Sequence, residues 1–415
     1  MKKIYDRLAK IPLFVYIFIG LLLGILYGLI LPTKIRYVAW LGELFMRALK
    51  MIIVPLVLTS IISGVANIGS ASNLGRLGLK TLTYYILSSL AAILTGLFFV
   101  NLLKPGVNAN LGLQKTVENL PAAQSLKDVI LGIVPTNIFE AFVKGDMLSI
   151  IFFSMLFGYF ITKIGKKYSE QLVNLFNGTF EAMMKLTQFI IKFTPFGVFG
   201  IIAKVVAENH NLGQLASSLG YYMLVVLMGL VFHAFITLPI AVRLLAKVNP
   251  FKFMRAMSEA LLTAFSTSSS GATLSLTMEN IKNKVGVSNK IASFTLPLGA
   301  TINMDGTALY ELVVAMFIAQ AYGIHLSFGQ QFIAVFTALL ASIGAAAIPM
   351  AGLIMISVIL TTLGLPLEGL GLVLAVDRIL DMFRTSVNVW SDSCAAVIIA
   401  RSEGEKFKID NTNEN

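Results

Sequence analysis

Residues 377–392 read DRILDMFRTSVNVWSD, set between the apolar runs GLGLVLAV and SCAAVIIA. Side chains able to do chemistry recur here at helical spacing. At 100° per residue, Asp377, Asp381, Arg384, Thr385, Asn388 and Asp392 fall within an arc of roughly 100°, one polar stripe on an apolar helix. On insertion scales a central Asp or Arg costs a membrane helix about 2.5–3.5 kcal/mol. Asp381, Arg384 and Asp392 together would cost on the order of 8–10 kcal/mol. The stripe must face away from lipid, and pairing must offset that cost. Two arrangements would do so. Arg384 could bridge Asp381 or Asp377 and only tie helices together, or the guanidinium could receive an anionic guest. The second also accounts for Thr385, Asn388 and Asp392, which a lone bridge does not require.

Two further segments place polar groups inside apolar surroundings. LLTAFSTSSSGATLSLTM (261–278) is too polar at its centre to cross lipid, because a hydroxyl buried without a partner costs roughly 2–7 kcal/mol. The TSSSG run between helix-forming flanks predicts two half-helices meeting at a tip. No His or Lys adjoins those serines to activate a nucleophile, so hydrolysis is not indicated. Hydroxyls and half-helix amides at such a tip suit a carboxylate instead. In LPLGATINMDGTALY (296–310), Gly299, Asn303, Asp305 and Gly306 interrupt an apolar span. Asn303, Asp305 and the carbonyls freed by the break are the oxygen ligands a hard cation prefers. A kinked packing helix with Asp305 as a satisfied buried acid is the alternative.

The elements that must position these groups are membrane helices. The chain has 415 residues, 57% hydrophobic and 13% charged, against roughly 25% charged for a soluble domain. Mean hydropathy is +0.82. Charge-free windows at 11–33, 51–75, 81–103, 211–242 and 312–367 each meet or exceed the roughly 20 residues of a spanning helix. Spans are expected at 11–31, 38–67, 80–103, irregularly across 127–164, and at 180–206 and 214–246. The polar linkers 108–128 and 206–214 are expected at the membrane surface. In the second half, a polar-tipped hairpin and a broken helix are followed by a small-residue tip, ASIGAAAIPMAG (341–352), and the striped helix. Interruptions at corresponding positions of two halves mark a transporter binding site, and irregular backbone at membrane depth survives only against protein or a cavity.

The net charge of +11 does not indicate nucleic acid. Lys2, Lys3, Arg7 and Lys10, and Lys163, Lys166 and Lys167, cluster beside apolar runs, which marks the cytoplasmic side and places the N-terminus inside. The first apolar run is too long for a signal peptide and no small-residue cleavage site follows it. Cys394 alone makes no internal disulfide, and His210, His233 and His325 are too dispersed for a metal site.

NMDGT together with DMFRTSVNV resembles the dicarboxylate/amino acid:cation symporter family, the glutamate and aspartate transporters. The likeness runs from the first helix to about residue 403. It includes FMRALKMIIVPLVLTSIISGV, TPFGVFG and the tips SSSG and SIGAAAIP. The resemblance implies an all-α integral membrane protein with eight transmembrane helices plus two re-entrant helical hairpins as inverted repeats. It implies a homotrimer working by an elevator mechanism, in a cell (inner) membrane with both termini cytoplasmic. Residues 1–75 and 125–212 would form the scaffold, 76–124 and 213–403 the transport domain, and 404–415 a polar tail.

By the same resemblance Arg384 binds the side-chain carboxylate of an acidic amino acid and Asp381 its α-amino group. Thr307, Thr385 and Asn388 complete the substrate site, with Ser269, Ser270, Ile348 and Gly352 from the hairpin tips. One sodium site matches Gly299, Asn303, Asn388 and Asp392. A second matches carbonyls of Thr301, Met304, Ser342, Ile343 and Ala345, and a third matches Tyr85, Ser88, Ser89, Asn303 and Asp305. No organic cofactor and no enzymatic activity are implied. Proton-coupled bacterial relatives tend to carry NLDG and Asn at the last acid, whereas NMDG and Asp392 here favour sodium. Electrostatics agrees: an acidic amino acid is a net anion, each charge crossing 100 mV is worth about 2.3 kcal/mol, and two or more sodium ions turn the potential into a driving force.

Overall fold

The computed structural model describes residues 13–70, 75–107, 109, 131, 133–208, 212–344 and 351–410, and every regular element among them is helical. The first half contains α1 (Leu13–Ile30), α2 (Arg36–Ser70), α3 (Gly75–Leu103), the short α4 (Ile138–Lys144), α5 (Met147–Ile161), α6 (Lys166–Ile191), α7 (Thr194–Glu208) and α8 (Leu212–Phe232). Helix α8 runs on through π-helical turns at His233–Thr237 and Val242–Ala246. Then come α9 (Pro250–Thr267), α10 (Ser270–Asn280), α11 (Asn289–Ile302), α12 (Asp305–Ala321), α13 (Phe328–Gly344), α14 (Ala351–Thr362) and α15 (Leu370–Ser402).

Two groups of helices pack mainly within themselves. Helices α1, α2, α5, α6 and α7 form one, while α3 and α8 to α15 form the other around α12. In the first group, small residues let backbones meet, as lipid-embedded helices require. Gly20, Gly24 and Gly28 repeat every fourth residue along α1 and face the α7 backbone. A Cβ on Gly20 would lie 2.4 Å from the Pro195 carbonyl oxygen, and one on Gly28 2.7 Å from that of Ala203. In the second group, α12 is buried on all sides from Asp305 to Ala319, as an all-round apolar helix should be.

The expected polar interruptions become helix breaks. Helix α9 ends where Ser268 takes a left-handed φ of 50°, and Ser269 caps α10 by accepting the Ala272 N–H at 3.2 Å. This is the half-helix tip read from TSSSG. The NMDGT break falls at Asn303–Met304, where the backbone leaves helical geometry between α11 and α12. Helices α13 and α14 flank the second tip, so Ala345, Ala347, Ile348, Pro349 and Met350 lie outside the described residues, as does the linker 110–130. The span expected at 180–206 is two helices instead, α6 and α7, bent by 50°. Pro195, second in α7, lacks the N–H that would continue α6.

By length and composition, four helical stretches among the described residues can cross a membrane, Arg36–Asn67, Arg76–Leu103, Ala216–Ala246 and Asn289–Ala321, or five with the bent pair. Helix α15 has the length, at 33 residues, but its charged stripe keeps it below that test. The protein is a helical membrane protein. Overpacking costs about 1–3 kcal/mol, so Gly20→Val is expected to lower the melting temperature in detergent. Gly64→Val in α2, with nothing within 4 Å, is expected to leave it unchanged; equal effects would contradict the α1–α7 packing.

Candidate functional site

Helix α15 turns its stripe into the second group of helices. Asp377, Asp381, Arg384, Thr385, Asn388, Ser391 and Asp392 are all buried. Arg384 is 1% exposed, its Nη2 donates to Asp381 Oδ1 at 2.8 Å, and its Nη1 lies 2.9 Å from Asp377 Oδ1 outside hydrogen-bond geometry. The guanidinium sits over the Tyr310 ring with Cζ 3.7 Å from its centroid, and the Tyr310 hydroxyl donates to Asp377 Oδ1 at 2.6 Å. Arg378 approaches Asp381 Oδ2 at 3.7 Å. Neither Nε nor Nη1 of Arg384 has a hydrogen-bond acceptor among the described residues. A Cβ on Gly352, at the start of α14, would lie 3.5 Å from Nη1 and 3.5 Å from Thr307 Cγ2. Glycine therefore keeps the approach to the guanidinium narrow yet free of a side chain.

Asn388 ties the stripe to the broken helix. Its Oδ1 accepts the Gly306 N–H at 2.8 Å and the Thr307 N–H at 3.4 Å, and its Nδ2 donates to Thr307 Oγ1 at 3.0 Å. These amides open α12, so the side chain satisfies donors that a helix start leaves orphaned. Gly306 is fixed by closeness, since a Cβ there would lie 2.6 Å from the Arg384 carbonyl oxygen. At the first tip, Ser269 is half-buried and Ser270 buried. Ser386 Oγ donates to Leu261 O at 3.0 Å, and Phe265 meets Phe383 edge-on at 5.0 Å. The hairpin thus lies alongside α15 next to Thr385, with no hydrogen bond to the Arg384 cluster among the described residues.

A second polar cluster lies further along α15. Asn303 Nδ2 donates to Ser391 Oγ and to Asp392 Oδ1, each at 2.9 Å, while its buried Oδ1 has no partner among the described residues. Gly299 leaves room for Asp392, whose Oδ1 would be 2.4 Å from a Cβ there. Asp305 accepts from Ser89 on Oδ1 at 2.7 Å, and from Ser88, from Ser391 at 2.6 Å and from His233 Nε2 at 3.1 Å on Oδ2. Tyr85 donates to Thr295 O at 2.6 Å.

So Ser88, Ser89, Asn303, Asp305 and Asp392 come together, with Tyr85 and Gly299 beside them. Asn388 is engaged with Gly306 and Thr307 and not with Asp392. Thr301 is exposed and donates to Leu298 O at 2.9 Å, Met304 is buried, and buried Ser342 donates to Leu339 O at 2.8 Å. Helix α11 packs against α13, whose end carries Ser342 and Ile343; Ala345 and Ile348 lie outside the described residues. No group of three or more His, Cys, Asp or Glu forms a metal site among the described residues. The donors here are hydroxyl, amide and carboxylate oxygens, which suit a hard cation.

Four buried participants were not singled out from the sequence: Tyr310, Ser391, His233 and Glu311. Ser391 lies on the same helical face as Asp377, and an ionisable residue inside an apolar window is a functional signal by itself, which applies to His233. Glu311 follows Thr307 by one turn, and both its oxygens lack a hydrogen-bond partner among the described residues. A hydrogen bond to a charged group is worth about 1.5–3 kcal/mol and a desolvated cation–π contact about 2 kcal/mol. Tyr310→Phe is therefore expected to lower stability by the first amount and Tyr310→Leu by both, read from thermal melts. Equal melts for Phe and Leu would contradict the platform role.

Apolar helices wrapped around a broken-helix interior rich in ionisable side chains mark a membrane transporter. The chain belongs to the sodium:dicarboxylate symporter family, whose profile matches residues 13–402. It is 38% identical over 409 residues, 96% of each chain, to the proton/sodium-glutamate symport protein of Geobacillus stearothermophilus. It is 36% identical over 431 residues, 92% of this chain and 85% of the relative, to an excitatory amino acid transporter of Caenorhabditis elegans. With the proton/glutamate-aspartate symporter of Escherichia coli (strain K12) it shares 36% identity over 421 residues, 97% of this chain and 94% of the relative.

Proposed function

We propose that the protein is a secondary active symporter that takes up L-aspartate and/or L-glutamate together with sodium ions. The observation that carries this reading is the Arg384 cluster. Arg384 is buried yet its Nε and Nη1 have no hydrogen-bond acceptor among the described residues, and a guanidinium with donors to spare suits a carboxylate guest. Asp381 Oδ2 likewise has no hydrogen-bond donor among the described residues, with Arg378 3.7 Å away, and would take the substrate α-ammonium. Thr307, Thr385, Asn388, Ser269, Ser270, Gly352 and Ile348 would enclose the remainder. The names of the relatives, glutamate and glutamate-aspartate symporters among them, support an acidic amino acid.

Charge balance supports the cations. The buried carboxyls of Asp305, Glu311, Asp377, Asp381 and Asp392 face one buried guanidinium, Arg384, among the described residues. An anionic amino acid would enter an interior already rich in carboxyl groups, and uncompensated buried charge costs several kcal/mol per ion. Sodium entering as co-substrate would relieve this. Asn303, Asp305, Asp392, Ser88 and Ser89 with Tyr85 and Gly299 would hold it near α15. Thr301, Met304, Ser342, Ile343 and Ala345 would do so by the second tip. The unpartnered Asn303 Oδ1 fits a cation, because a buried acceptor without a donor otherwise costs about 1–3 kcal/mol.

The two packing groups support an elevator, with α3 and α8 to α15 moving as the transport domain against the other helices. That reading includes eight spanning helices plus two re-entrant hairpins, the second tip as extracellular gate, and a homotrimer in the cell membrane with cytoplasmic termini. A second reading, proton coupling, is favoured by Glu311, whose buried carboxyl has no hydrogen-bond partner among the described residues. Radiolabelled aspartate and glutamate uptake in proteoliposomes, with sodium, proton and potassium gradients imposed separately, decides between them. Uptake driven by sodium alone is expected; uptake driven only by protons would transfer the coupling role to Glu311. Competition by succinate, which has no amino group, would indicate a C4-dicarboxylate carrier.

Two variants test the residue roles. Arg384→Ala is expected to abolish acidic amino acid uptake, and unchanged aspartate affinity would refute the assignment. Asp392→Asn is expected to raise the sodium concentration needed for half-maximal uptake; a sodium dependence identical to wild type would remove Asp392 from the cation site.

A further inference from the structure

His233 is a fully buried ring in the second group of helices, with Nε2 3.1 Å from Asp305 Oδ2 and Nδ1 buried without a partner among the described residues. Among the described residues its polar contact is the Asp305 carboxylate, which ties the α8 continuation to the start of α12. It opens a π-helical turn, His233–Thr237, and the next residue, Ala234, gives its carbonyl to Trp390 Nε1 of α15 at 3.0 Å. Such turns insert an extra residue and re-aim side chains, and they recur at functional sites. Here the turn is pinned by α15, and it directs the imidazole at the acid that opens α12.

The donors on Asp305 are unevenly shared. Among the described residues Oδ2 receives Ser88, Ser391 and His233, whereas Oδ1 receives Ser89. A carboxylate offers about two lone-pair directions per oxygen, so Oδ2 is filled and Oδ1 retains one. Asn303 Oδ1, two residues earlier on the same break, is buried with no donor at all among the described residues. Three of the four donors are serine hydroxyls, which rotate and can turn to other acceptors. The imidazole is the rigid one, held by its turn.

We infer that His233 is a positioning residue for the coupling cation, holding Asp305 by Oδ2 so that Oδ1 is presented for ligation beside Asn303. The inference rests on the sodium reading above. Groups that orient a ligating carboxylate are worth roughly 10–100-fold in metal affinity. A residue that only filled core volume would affect folding and leave affinity alone.

The test is the sodium-dependent melting temperature of the purified, substrate-free protein, with choline replacing sodium at constant ionic strength. A ligand that binds only the folded state raises that temperature with its concentration, so a sodium midpoint is read without any transport. His233→Leu is expected to shift the midpoint upward by roughly 10–100-fold. His233→Gln, which keeps an N–H donor, is expected to regain most of it, while the melting temperature in choline separates folding effects from affinity. If His233→Leu does not fold, His233→Asn, with its donor withdrawn from Asp305, replaces it with the same expectation. A wild-type midpoint in the Leu or Asn variant overturns the inference, as does a Gln variant no better than Leu or Asn. A responsive wild type with an impaired Asp305→Asn and an unshifted His233→Leu overturns this inference alone; a wild type whose melting temperature ignores sodium overturns the sodium reading with it.

Discussion

The Arg384 guanidinium lies over Tyr310, between Asp377 and Asp381, in an interior where five carboxyls are buried among the described residues. Most of the structure around it follows from that imbalance. A lone buried guanidinium would cost the fold several kcal/mol, and pairing with two acids removes that cost. The same pairing sets two carboxyls against one guanidinium and leaves N–H groups of Arg384 without acceptors among the described residues. Such a centre is stable without a guest but incompletely satisfied, which is what a site that binds and releases its guest needs. A structural salt bridge would instead close every donor on an acceptor.

The broken helices follow from the same constraint. Backbone released in the middle of a membrane protein is tolerated only if each released group finds a partner. The break at Asn303–Met304 supplies this, because Asn388 takes up the Gly306 and Thr307 amides while Asn303 and Asp305 turn toward Ser88, Ser89, Ser391 and Asp392. One side chain from α15 therefore joins the region of Arg384 to the region of Asp305. Occupancy of one cluster has a short covalent and hydrogen-bonded route to the other, through Asn388, Gly306 and Asp305. That proximity would give the proposed coupling between an anion and its accompanying cations a physical basis.

The sequence made the stripe on α15 legible because its polar residues recur at helical spacing in an apolar run, and burial of all six bears out the inward face. The two breaks at TSSSG and NMDGT were legible because hydroxyl and amide side chains cannot be left unpartnered in lipid. What escaped was long-range pairing. Tyr310 sits in a helix that reads as ordinary apolar core, and nothing in ALYELVV says that its ring supports Arg384. His233 was dismissed as a member of a dispersed trio, although its partner is an acid 72 residues away. The bend between α6 and α7 was hidden because the window 180–206 is apolar on both sides of Lys192 and Thr194, and the one proline in it, Pro195, decides the outcome. Asn388 was legible as polar and inward, but its choice of Gly306 and Thr307 over Asp392 depends on the exact placement of two helices.

The most direct test is equilibrium binding of L-aspartate to the purified wild-type protein, by calorimetry, with choline exchanged stepwise for sodium at constant ionic strength and pH. If an anionic guest enters this acidic interior only with compensating cations, the dissociation constant falls steeply as sodium rises. The log–log slope then reports the number of ions taken up. An affinity for L-aspartate that is the same in choline as in sodium would contradict the account.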